Sequence, residues 1–428
     1  MTSLVNAERV SIVGGGITGA SLAYRLSETA LDVSLYERGE LGEGATAASM
    51  AVFSWQSLHP TALDHRLRQR SWAEYERFVE EGHIEFTPTG ALDVATTPEK
   101  REAIADATEK LRELGVDAET LDPEGVAAFG IAPDAVTGAL YTEREGCFDP
   151  DEVVAHYAKR AAEAGVRIET DTEVTGIETE DGAVSAIETP DGATETDVVV
   201  NAAGPWAPAV NDLVGLALAL RRTRGPILDV QDRIEGLPFT LFERADGPAG
   251  YLRSHESGVY AGRYATDYES GEVLDPDRNY STGEEFRDEV GELLETYVPD
   301  LAGSSLEEGW VGIRTVSPDG LPLVGDVEDG GPEGFVVACG PSGLGITRAG
   351  DRRPAGDLSR NRADPGGPTA ALADALYRRR GRNERHLIAS DRTESTDAGT
   401  TKRVSFAIRD VGSCRGQAFR CRALVLQP

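Results

Sequence analysis

The sequence predicts an α/β fold: a Rossmann-like dinucleotide-binding unit with an α+β unit inserted into it. Three observations carry this. An apolar run, Arg9–Val13, leads into a glycine-rich loop, a helical stretch and a second apolar run, the strand–loop–helix–strand order of a βαβ unit. Val198–Val200, short and wholly apolar, enters Asn201-Ala202-Ala203-Gly204. The middle of the chain mixes strand-like runs with helices and holds no second phosphate loop.

In chain order, 9–13 reads as a buried strand, about 17–28 as a helix and 33–36 as the next strand. In 65–81, Leu67, Trp72, Tyr75, Phe78 and Val79 fall on one helical face. Further helices are expected over 98–114, 150–164 and 284–297. Strands are expected over 166–168, 173–179, 183–189, 198–200, 227–230 and 258–262. Asp181-Gly182 and Asp191-Gly192 are turn signals between strands. The expected division is discontinuous. Residues 1–80, 145–214 and 306–346 form the nucleotide-binding unit, and 81–144 with 215–305 form the substrate unit.

Composition narrows the function. The chain has 428 residues, 40% of them apolar, enough for buried cores in two or three domains. Its 74 acidic residues outnumber 42 basic ones, a net charge of -32, which argues against nucleic acid as a partner. Lysine occurs only at Lys100, Lys110, Lys159 and Lys402. An acidic, lysine-poor composition fits adaptation to high salt, where like-charge repulsion is screened; an ordinary acidic enzyme is the alternative. Cys147, Cys339, Cys414 and Cys421 have no metal-site or disulfide-framework spacing. The first strand starts near Arg9 and no apolar run approaches ~20 residues, so a cytoplasmic protein is expected.

Gly14-Gly15-Gly16-Ile17-Thr18-Gly19 matches GxGxxG, a weak pattern alone. Here it follows a strand, opens a helix and is followed by Glu37 at the next strand's end. Gly14 permits the tight turn, Gly16 the approach of a diphosphate, and Gly19 close helix–strand packing. The helix N-terminus offers unpaired N–H groups to the phosphates, and Glu37 can accept from ribose hydroxyls. The fingerprint serves FAD or NAD. The small residues Gly42-Glu43-Gly44-Ala45-Thr46-Ala47-Ala48-Ser49 suit a loop lying along an extended dinucleotide, which favours FAD.

Four segments together resemble the D-amino-acid oxidase / glycine oxidase / sarcosine oxidase superfamily of FAD-dependent enzymes. They are Ile12–Gly19 with Glu37; Gly44–Ser49; Val198–Trp206; and Trp310–Arg314 followed by Ser317–Pro322 and Gly340–Gly345. The resemblance implies FAD extended between two domains. Arg38, Ala45, Thr46, Ala47 and Ala48 join the glycine loop as its contacts. Val174 is implied against the adenine and Gly204 close to the cofactor. Gly343, Leu344, Gly345 and Ile346 are implied beneath the flavin, ahead of a helix N-terminus. With no Cys in 312–317 and no His in 42–50, FAD is expected to be non-covalent.

The resemblance also implies oxidation of a C–N bond beside a carboxylate, by hydride transfer from a small amino acid or N-methyl amino acid. The electron acceptor would be oxygen or another carrier. Arg314 is the first candidate for the substrate carboxylate, since a guanidinium holds a carboxylate through two parallel bonds; a domain-interface salt bridge is its alternative. Tyr251 and Arg253 resemble a substrate-facing strand, and His59 and His255 are further candidates. No metal-ligand or Ser/His/Asp constellation stands out.

From Thr347 onward the chain changes character, with 17 basic residues against 9 acidic ones. Arg348, Asp351, Arg352, Arg353 and Pro354 leave no apolar face where the family continues into an apolar helix. The switch reads as a loss of the original reading frame, with a natural disordered basic tail as the alternative. Two alternatives to an FAD enzyme follow: an NAD-linked dehydrogenase, and a tail-damaged relative that binds nucleotide without turnover.

Overall fold

The computed structural model describes residues 7–343 apart from 243–249, 264–267, 269–270, 319, 321 and 328–329; the basic tail lies outside the described residues. The six-stranded sheet runs in the order Leu323–Asp326, Phe335–Cys339, Val198–Asn201, Arg9–Val13, Asp32–Tyr36, Arg167–Glu169. Its pairs are parallel except for Leu323–Asp326 against Phe335–Cys339. Strands buried on both faces need continuous apolar sequence, and Val198-Val199-Val200 supplies it. Helix Ile17–Leu26 buries nine of its ten residues. It packs on helix Pro150–Glu163, which Asp149 caps by accepting from the amides of Asp151 and Glu152. The first helix stops before the expected Glu28 because the Ser27 and Thr29 hydroxyls bond the carbonyls of Tyr24 and Leu26.

The second large sheet has eight strands: Leu306–Val316, Arg221–Val230, Val259–Arg263, Gly250–Ser254, Phe239–Phe242, Ala91–Ala95, Gly138–Thr142, Ala118–Leu121. One face is covered by helix Glu284–Tyr297, whose Phe286, Val290, Leu293 and Leu294 share a core with Leu92, Val94, Leu228 and Leu252. Tyr251, Leu241 and Asp93, in mutual register, stand on the opposite face. By hydrogen bonding, Leu306–Val316 is an edge of this sheet, next to Arg221–Val230.

Two three-stranded sheets complete the fold. One contains the expected hairpin at Asp181-Gly182, both with positive φ. The strand expected from Glu173 starts only at Gly176. Helix Ala62–Glu80 begins earlier than expected, because the Thr61 hydroxyl accepts from the Asp64 amide and fixes its N-terminus. Among the described residues no helix is long and apolar enough to cross a membrane.

Candidate active site

The glycine loop has the geometry its residues require. Gly14 takes φ +109°, and a Cβ there would lie 2.6 Å from the Ala202 carbonyl oxygen. A Cβ on Gly19 would sit 1.8 Å from the Gly14 oxygen, so the helix reaches its strand only because no side chain intervenes. Gly16 is the N-cap and supplies no capping side chain, and the first turn holds no acid. The Ile17 amide donates to the Thr46 hydroxyl at 3.1 Å. Glu37 turns toward the loop: its carboxylate accepts from the Gly15 amide at 2.6 Å and the Gly39 amide at 3.1 Å. A carboxylate has about four acceptor positions, so sites for a ribose diol are left. These residues fit a dinucleotide: a helix start with neither a capping side chain nor an acid in its first turn, a cradle that side chains would fill, and an acid beside it.

Arg38, expected beside the cofactor, reaches across to Trp206 and Asp277. Its guanidinium lies 4.1 Å from the Trp206 ring centroid and ion-pairs with Asp277. Trp206 Nε1 donates to the same carboxylate at 3.0 Å. Val174 is buried in a cluster with Val13, Tyr36 and Val184.

A cavity of about 620 Å³ opens between the two large sheets. Ile17, Thr18, Ala45, Thr46, Ala48 and Gly204 line it from the dinucleotide side, together with Gly343; Ala47 does not. Gly204 has φ +51°, and nothing lies within 4 Å of where its Cβ would project. Leu344, Gly345 and Ile346 fall outside the described residues.

Tyr251 and Arg314 line the cavity from the eight-stranded sheet. Two glycines clear their floor. A Cβ on Gly262 would lie 2.3 Å from the Tyr251 hydroxyl oxygen, and one on Gly225 would lie 2.7 Å from the Arg314 guanidinium carbon. Both terminal nitrogens of Arg314 reach the main-chain oxygen of Arg263 at 3.4 Å. Burial raises the Tyr251 pKa, and nearby Arg314 opposes the rise.

The other candidates separate. His59 lines the cavity and is exposed. Arg253 does not line it; its Nε lies 3.1 Å from Cys147 Sγ. His255 is also away from it, stacked on Tyr260 with Nε2 3.0 Å from Asp229. Arg253 and His255 lie beyond the cavity end of this strand, where Cys147 and Asp229 take them up.

Several lining residues were not singled out from the sequence. Gln56 donates through Nε2 to the carbonyls of Ala91 and Leu140. Asp64 accepts from Arg68 Nε at 2.7 Å, an i,i+4 helix pair that spacing alone could have flagged. Asp93, the one acid within the apolar strand Ala91–Ala95, pairs with Lys100 at 2.7 Å. Behind this wall Glu145 is fully buried and accepts from the amides of Trp55 and Gln56 at 2.8 and 3.1 Å. Desolvation pushes its pKa up to about 7. Burial also pushes the Cys339 thiol beside the cavity up to about 12, so it is no ready nucleophile.

Comparison with known proteins extends this picture. A glycine oxidase from Geobacillus kaustophilus is 28% identical over 349 residues, 79% of this chain and 88% of that one. Dimethylglycine dehydrogenase from Rattus norvegicus is 28% identical over 362 residues, but the chain spans only 41% of its length. Among solved structures, L-proline dehydrogenase from P. horikoshii superposes with TM-score 0.70 at 23% identity, covering 80% of this chain and 90% of that one. The Geobacillus kaustophilus glycine oxidase structure gives 0.68 at 24% identity, covering 87% and 95%. The DAO family profile, FAD dependent oxidoreductase, matches residues 9–350. Neither the NAD-linked alternative nor the inactive relative is favoured by these matches. With the glycine cradle, the open helix start and the shared cavity in place, the chain belongs to the DAO family of FAD dependent oxidoreductases.

Proposed function

We propose that this chain oxidises the C–N bond of an amino acid or N-methyl amino acid whose carboxylate is held by Arg314 and Tyr251. One observation carries the reading. Arg314 and Tyr251 converge over Gly225 and Gly262 inside the same cavity that Ile17, Thr18 and Thr46 line from the dinucleotide side. When bound, FAD supplies the hydride acceptor. Its diphosphate would be held by the amides at the start of helix Ile17–Leu26, and its ribose by Glu37.

The chain's own residues do the rest. Arg314 presents two terminal nitrogens in one plane, the geometry that grips a carboxylate bidentately. The Tyr251 hydroxyl, kept protonated by burial, is a further donor. Fixing the carboxylate fixes the Cα–H bond against the opposite wall, so orientation is the protein's main contribution. Apolar Phe239 and Leu241 limit water there. The amine must react as the neutral base, so turnover should rise with pH through the amine's ionisation.

The test uses the full chain reconstituted with FAD under anaerobic conditions. Glycine, sarcosine or D-amino acids are expected to bleach the flavin absorbance. Arg314→Met is expected to keep the bound flavin and lower the apparent kcat/KM by roughly 100-fold. Unchanged bleaching in that variant, or no bleaching by any amine, sinks the reading.

A further inference from the structure

The cavity has two ends of different electrostatic character. Arg314, at one end, meets the Arg263 main-chain oxygen and the Tyr251 hydroxyl. Among the described residues no carboxylate pairs with it. At the other end stand two ion pairs, Asp93 with Lys100 and Asp64 with Arg68, each at 2.7 Å. Asp93, Asp64 and Arg68 line the cavity, and Lys100 supports Asp93 from the first turn of helix Pro98–Glu113. None of these four side chains is more than 15% exposed. Between the ends lie Phe239 and Leu241. Leu241 is in register with Tyr251 on one side and Asp93 on the other, two strand spacings in all, roughly 10 Å.

We propose that this far end is a specificity subsite, and that the preferred substrate is an amino or N-alkyl amino acid with a single carboxylate and an uncharged hydrogen-bonding group at the tip of its side chain. The proposal rests on Arg314 and Tyr251 being the carboxylate end. A buried ion pair that is already matched tolerates no added net charge. A second carboxylate would face Asp93 and Asp64 at low dielectric, and an ammonium would face Lys100 and Arg68. A neutral amide or hydroxyl can donate to the acids and accept from the bases, and disturbs neither pair. Glycine and sarcosine bind the near end only and leave the far end unused, so their turnover is slower.

The experiment follows the rate of anaerobic flavin bleaching in the full chain with FAD. The substrates are glycine, sarcosine, and both enantiomers of glutamine, tyrosine, glutamate and lysine. Glutamine or tyrosine is expected to lead, about tenfold or more ahead of glutamate and lysine. Asp93→Asn removes the carboxylate opposite Lys100 and is expected to raise glutamate relative to glutamine by about tenfold. Lys100→Met is expected to do the same for lysine. The double variant restores neutrality and the original order. Should Asp93→Asn lose FAD, Asp64→Asn carries the same expectation through Arg68. A wild type that prefers glutamate or lysine, or an order unmoved by the single changes, overturns the subsite. Failure of the carboxylate end looks different: no amino acid bleaches any form, or Arg314→Met bleaches as fast as wild type.

Discussion

Single residues decide whether the cradle and the near end exist at all. A methyl group at position 19 would overlap the Gly14 oxygen at 1.8 Å, and backbone cannot swing aside as a side-chain tip can. Gly19→Ala is therefore expected to yield protein without flavin, checked by the absorbance of the purified sample. Gly225→Ala is milder: its Cβ meets the flexible Arg314 tip at 2.7 Å, so flavin should stay while KM for the amine rises about tenfold. Glu145 gives a pH signature. Its folded pKa, about 7, lies above the ordinary 4.5 because burial disfavours the charged form. The native state binds that proton more tightly than the unfolded chain does. The contribution is complete below about pH 4.5 and is lost as pH rises through 7, a loss of about 3 kcal/mol. In Glu145→Gln the drop in melting temperature between pH 5 and pH 8 should shrink relative to wild type. An identical drop in both proteins would remove Glu145 as its source.

At the scale of elements, helix Ala62–Glu80 sets the far end of the cavity, because its first turns carry Asp64 and Arg68. Its start depends on Thr61, so Thr61→Ala is expected to cost about 1 kcal/mol, read as a lowered urea midpoint. Elements of this kind were legible in the sequence. Thr97-Pro98 and Asp149-Pro150 announce helix starts, and apolar spacing gives the length. The glycine loop was legible too, because backbone geometry restricts those positions to one residue type. The far end was not. Asp93 becomes a cavity residue only through its register with Leu241, nearly 150 positions away, and no local pattern encodes that pairing. Arg253 and His255 show the same limit: nothing local to Gly250–Ser254 tells where the cavity ends. The partners of Arg38, Trp206 and Asp277, lie far off in sequence, so no local pattern shows them.

Over the whole molecule, charge and connection between the sheets dominate. A net charge of -32 stores like-charge repulsion that salt screens, since the Debye length falls from about 10 Å at 0.1 M to about 3 Å at 1 M. The melting temperature should rise steadily as KCl is raised over that range; a flat or falling curve would exclude repulsion as a limit on stability. Salt acts in the opposite sense at one place. Arg38 and Trp206, on the six-stranded side, both grip Asp277, which follows the strands of the other large sheet. This exposed clasp sits one residue beyond the acid assigned to the ribose. The clasp ties the segment after Glu37 to the other unit, so it is expected to slow flavin exchange more than it changes how tightly the flavin is held. Release into flavin-free buffer should quicken with ionic strength and again in Asp277→Asn, while equilibrium occupancy barely changes.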